Sequence, residues 1–147
     1  MGDDRWVDDA LDVLDGRGDL AAAVYDGREP VRVAAATRVD LDARMLADLA
    51  CDVSPSVRAI VASRPDLSDG LVEDLSYDPV PEVRRMLAAR QNLPHAVRRR
   101  LSEDLDAGVQ EALGNGRAAR LLRLMPCGPL ARRRRGRGGK VLFGGRG

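Results

Sequence analysis

Residues 78–90 read DPVPEVRRMLAAR, and nearly the same phrase, DVSPSVRAIVASR, stands at 52–64, 26 residues earlier. Written in rows of that length, the chain places Val31, Val57, Val83 and Val109 in one column and Arg32, Arg58, Arg84 and Gln110 in the next. Asp26, Asp52, Asp78 and Asp104 form a third column, six residues ahead of the Arg position. Pro55 and Pro81 align, as do Leu41, Leu67 and Leu93, then Met45, Leu71 and Val97, then Leu49, Leu75 and Leu101. So many ungapped coincidences at one period mark an internal repeat.

Each row carries two apolar stripes at helical spacing. Leu67, Leu71 and Leu75 recur every four residues, and Val83, Met86 and Leu87 follow an i, i+3, i+4 pattern, which predicts a pair of short helices per row. Between them the DxxPxVR phrase suits a turn followed by the first turn of a helix, where the missing proline N–H costs nothing. Asp42 and Ser68 are expected N-caps for the first helix of their rows, and Pro94 takes the same place in the next. The aliphatics of a single row cannot offset the entropy of ordering it, so the units must stack on one another.

The stretch DPVPEVRRMLAARQNLPHAVRRRLSED (78–104) resembles the leucine-rich repeat variant family, bacterial helical repeats in the style of HEAT and armadillo proteins, and the likeness covers residues 19–116. It implies an all-α fold: a short right-handed superhelical solenoid of about three and a half helix-pair repeats. It also implies a ladder of charge-assisted hydrogen bonds between repeats, with matched pairs Asp26 and Arg32, Asp52 and Arg58, Asp78 and Arg84. Gln110 breaks the fourth pair, and GNG at 114–116 interrupts the row, so the regular stack is expected to end there. Some members of the family carry a cysteine-rich iron–sulfur module; this chain has a longer repeat and only Cys51 and Cys127, so no cluster and no other cofactor is expected.

The ends depart from the columns. WVDDALDVL (6–14) puts Trp6, Ala10, Leu11 and Leu14 on one face among aspartates, an N-terminal acidic cap within residues 1–18. RAARLLRLM (117–125) aligns Ala118, Leu121, Leu122 and Met125, a C-terminal cap over 117–126. The remaining residues, 127–147, are rich in Arg and Gly and read as disordered.

Composition agrees with helices: 44% of the residues are apolar but only 3% aromatic. No apolar run approaches membrane-spanning length, and the start MGDDRWVDDALD lacks the basic-then-apolar layout of a signal peptide. Two cysteines outside any CxxC spacing fit a reducing compartment. A cytoplasmic protein is therefore expected. The net charge of +1 hides an asymmetry, −6 over residues 1–30 against +9 over 109–147. Lys140 is the only lysine, so the arginine excess also fits a GC-rich codon bias.

The repeated Asp and Arg are expected to be structural, because a catalytic set occurs once in a chain. His95, the only histidine, falls at an exposed helix start, and no usual catalytic or metal-ligating constellation occurs, so no enzyme is expected. Arg38, Arg64 and Arg90 form a further basic column at helix ends, where cations suit the helix dipole or, with Arg98, Arg99 and Arg100, form a track for a partner. Arg132, Arg133, Arg134 and Arg135 in the tail could contact phosphate backbones or fold back on the acidic front. The expected function is a non-catalytic scaffold for a protein or peptide partner, with no membrane association. Nucleic-acid binding through the basic C-terminal half and tail is the alternative.

Overall fold

The computed structural model describes residues 4–125; the 127–147 tail, with Arg132–Arg135 and Cys127, lies outside them. The described residues form ten helices and no strand: α1 (Arg5–Leu14), α2 (Leu20–Val24), α3 (Glu29–Ala36), α4 (Ala43–Ala50), α5 (Pro55–Ser63), α6 (Asp69–Leu75), α7 (Pro81–Ala88), α8 (His95–Ser102), α9 (Ala107–Ala112) and α10 (Gly116–Leu124). Each 26-residue row from α2 to α9 yields one pair.

Helix starts follow local chemistry. The carboxylate of Asp42 accepts the Met45 N–H at 2.7 Å, Ser68 Oγ accepts that of Leu71 at 3.4 Å, and Asp106 accepts that of Val109 at 3.0 Å. Pro94 stands at the corresponding place before α8 with no side-chain cap. Pro30, Pro55 and Pro81 occupy the first turns of α3, α5 and α7. Just before these helices, the Asp column closes a tight turn. Asp52, Asp78 and Asp104 each accept the backbone N–H two residues on, at 2.7–2.9 Å.

The second helices of successive rows, α3, α5, α7 and α9, lie side by side in chain order, and α1 and α10 extend the row at its two ends against α3 and α9. Val31, Val57, Val83 and Val109 are all fully buried between them. Leu49, Leu75 and Leu101 close the core from the first-helix side. A valine column at this seam is sterically sensible, since a short branched side chain lets neighbouring helices approach closely.

The two end helices expose more apolar surface than their sequence pattern predicts. In α1 the buried positions are Ala10 and Val13, while Leu11, Leu14 and Trp6 are exposed. In α10 the buried position is Ala119, while Ala118, Leu121 and Met125 are exposed and Leu122 is half-buried. The helical wheel finds an apolar stripe but not which flank of it meets the neighbour; small residues, Ala10 and Ala119, make the contact because they permit the closest approach.

Candidate interaction surface

Two ladders of arginines knit the rows together. In the first, each guanidinium reaches the aspartate of the following row: Arg32 to Asp52, Arg58 to Asp78 and Arg84 to Asp104, each through Nε and Nη2 to both carboxylate oxygens at 2.6–3.2 Å. Nη1 of the same three arginines donates to the backbone carbonyl of the aspartate six residues earlier, Asp26, Asp52 and Asp78, at 2.7–2.8 Å. The pairs matched within a row, Asp26 with Arg32 and its successors, thus meet through the aspartate carbonyl, and the carboxylate bond crosses to the next row. Asp26, with no arginine from an earlier row, is held instead by Arg28.

These contacts are largely buried and bidentate, which makes each one strong but also conditional on its partner. Burial alone would raise the Asp52 and Asp78 carboxyls. The arginine hydrogen bonds and the turn N–H outweigh it and hold both below the ordinary carboxylate range. Hydrogen bonds from the Arg28 side chain and backbone bring Asp26 down to about 2.

Gln110 closes this ladder. Its amide donates to the carbonyls of Asp104, Leu101 and Ser102 at 2.7–3.1 Å and accepts from Asn115 at 2.9 Å, while the residue is fully buried. It fills the carbonyl-binding part of the arginine's role. A neutral amide suffices because the chain has no aspartate one row further on, where Leu130 stands.

The second ladder absorbs the basic column. Arg38 donates to Val13 and Leu14 carbonyls at the end of α1, Arg64 to Ala36 and Arg38 carbonyls at the end of α3, and Arg90 to the Arg64 and Pro65 carbonyls after α5. Each is a cation set on the negative end of the preceding row's helix. Asp40 and Asp66 clamp Arg38 and Arg64 from two residues on, at 2.6–2.9 Å, but Asn92 takes that place beside Arg90. Burial therefore pushes the Arg90 guanidinium down from its ordinary range, and its Nε has no hydrogen-bond partner among the described residues. Arg64 is only 8% exposed, so its charge faces inward.

What remains outward is a different surface. Arg98 and Arg99 are exposed on α8. Arg100 lies 3.7 Å over the Tyr77 ring and donates to Ser76 Oγ and Glu73. The turns between first and second helices expose Tyr25, Val53, Tyr77 and Leu105, with Val53 as much as 89% open. They fall in two columns, 25/77 and 53/105, so the repeat sets them along one edge. Between the first two of these turns lies an open groove of about 860 Å³ lined by Tyr25, Asp26, Met45, Asp48 and Val53. Tyr25 donates its hydroxyl to Asp48 at 2.5 Å, a bond that raises the phenol's pKa. The alternation of tyrosines and aliphatics at these columns was readable in the sequence; their location on turns, where nothing covers them, was not.

Among the described residues no group of three or more His, Cys, Asp or Glu side chains is arranged to hold a metal ion, and no helix is long and apolar enough to cross a membrane. His95 is exposed at the first position of α8.

Paired helices at a fixed period, tied by recurring arginines, define a helical repeat protein. Residues 55–80, one 26-residue period holding α5, α6 and the Asp78 turn, match the family model described as leucine rich repeat variant, the family that the repeat pattern resembles. No curated protein and no solved structure gives a significant match to the chain.

Proposed function

We propose that the chain is a short right-handed solenoid scaffold that performs no chemistry and holds a segment of another protein along its turn edge. The observation that carries this reading is the recurrence of exposed Tyr25, Val53, Tyr77 and Leu105 at repeated turn positions, with Tyr25 and Val53 lining the groove. Interfaces favour tyrosine and aliphatic anchors that are rigid and already placed, since little side-chain entropy is lost on binding. The groove is lined by Asp26, Asp42, Asp48 and Asp52 against Arg32 and Arg44, a net negative balance that suits a partner with basic or apolar side chains better than one with phosphates. A capture experiment from the native cell tests it, with Val53→Glu against Val39→Glu, an equally exposed valine on a different turn. Partners retained by wild type and Val39→Glu but lost by Val53→Glu support the reading; equal capture by all three removes it.

Nucleic-acid binding is the second reading, favoured by Arg98 and Arg99, which are exposed and form no ion pair among the described residues. Oligonucleotide titrations at two salt concentrations, with and without residues 127–147, address it directly. Steep salt dependence that vanishes on truncation would assign binding to the tail, and dependence that survives truncation but not Arg98→Ala/Arg99→Ala would assign it to α8.

A further inference from the structure

The two end helices leave open faces of opposite character. On α1, Val7, Leu11 and Leu14 lie at i, i+4, i+7 and are all exposed, about 100° around the helix from the Ala10–Val13 contact with α3. On α10, Leu121 and Leu124 are exposed opposite Ala119, the residue that meets α9, and Leu124 is 72% open. An array of stacked helices needs polar outer faces at its ends to stay a monomer. On α10 the outer face carries Leu121 and Leu124, and on α1 the apolar stripe runs along one flank of an outer face that holds Asp8, Asp12 and Asp15.

The charges beside the two stripes are complementary. Asp8 borders the α1 stripe, and Arg117 and Arg120 flank the α10 stripe; none of these three forms an ion pair among the described residues. More widely, α1 carries Arg5 against Asp8, Asp9 and Asp12, with Asp15 at its C-cap, and α10 carries Arg117, Arg120 and Arg123 and no acid; of these, Asp9 pairs with Arg28, Asp12 and Asp15 with Arg17, and Arg123 with Glu111. Each end would therefore repel a copy of itself and attract the other.

We propose that copies of this chain associate head to tail, α10 of one seating on α1 of the next, so that the row of helices continues from molecule to molecule. A heterologous contact of this kind leaves a free end at each stage and forms an open series, not a closed dimer. One helix-on-helix contact is small by the standard of stable interfaces, so the association is weak, reversible and dependent on concentration. The end faces are distinct from the turn edge proposed to hold a partner, and the two readings stand or fall separately.

Sedimentation velocity of the full chain over a concentration series tests the proposal. The weight-average sedimentation coefficient should climb with concentration, and climb less at high salt as the flanking charges are screened. Two end-blocked variants, Leu11→Glu/Leu14→Glu and Leu121→Glu/Leu124→Glu, change side chains that are already exposed; circular dichroism would verify that each remains folded. Each should be monomeric alone, and an equimolar mixture should give a 1:1 complex and nothing larger, because each variant keeps one working end. A wild-type chain that stays monomeric throughout overturns the proposal, including the case in which its own residues 126–147 cover α10. So does a blocked variant that still self-associates, or a mixture that does not react.

Discussion

Asp78 carries two jobs in one side chain. It accepts the Val80 N–H to shape the turn before α7, and it receives both arms of Arg58 from the previous row. Replacing it with Ala leaves a largely buried guanidinium without its counter-charge, which should destabilise the fold by about 3 kcal/mol, measured as a lowered urea midpoint. An unchanged midpoint would mean that the bridge contributes nothing to the stack. The acid dependence follows from the same contact. The folded pKa values of Asp52 and Asp78 lie below the unfolded value, so their contribution is complete above an unfolded pKa of about 3.9 and is lost as pH falls through the lower folded values. Stability should therefore drop below about pH 4, and Asp78→Asn should make that drop shallower in urea titrations across the acid range. The aspartate and arginine columns are plain in the sequence. Which aspartate oxygen meets which arginine is not, because Arg58 can reach both Asp52 and Asp78, and only the spacing of the rows directs its fork to the carboxylate ahead and its remaining nitrogen to the carbonyl behind.

At the level of the helix, the arginines 26 residues apart act as pins from the C-terminal end of one helix to the C-terminal end of the corresponding helix in the preceding row. Arg38 ties α1 to the body, and its guanidinium passes so close to Gly16 that a Cβ there would lie 2.6 Å from Nη1. Gly16 also has a φ of +77°, a left-handed conformation that disfavours any other residue. Arg38→Ala should accordingly raise amide exchange in α1 while leaving α5 and α7 protected; uniform loss of protection would show instead that α1 is part of the global folding unit. The third pin is incomplete, since Asn92 stands where Asp40 and Asp66 serve the earlier ones. Asn92→Asp should stabilise the protein by up to about 1 kcal/mol, seen as a higher melting temperature in low salt. In α9, Gln110→Ala would strip a donor from three carbonyls, and a loss of about 2 kcal/mol is expected by the same denaturation assay.

Over the molecule as a whole, the period and the helix pairs are legible in the sequence because each row must bury the same stripe against the same neighbour, and chemistry that repeats in space repeats in sequence. The caps were legible only as amphipathic helices. Their wheels hold apolar residues over a wide arc, and sequence spacing cannot choose which part of that arc faces α3 or α9. The tertiary packing chose the small residues and left Leu11, Leu14, Leu121 and Leu124 outside. It likewise turned Arg38, Arg64 and Arg90 from a prospective outward track into internal supports, because each lies within reach of carbonyl ends that belong to the preceding row. Local sequence thus determined the helix starts, the turns, the repeat and the core columns, all of which depend on residues within one row. The arginine connections, the open faces at the two ends and the exposed turn edge were decided by the tertiary structure alone, since each depends on how far one row sits from the next.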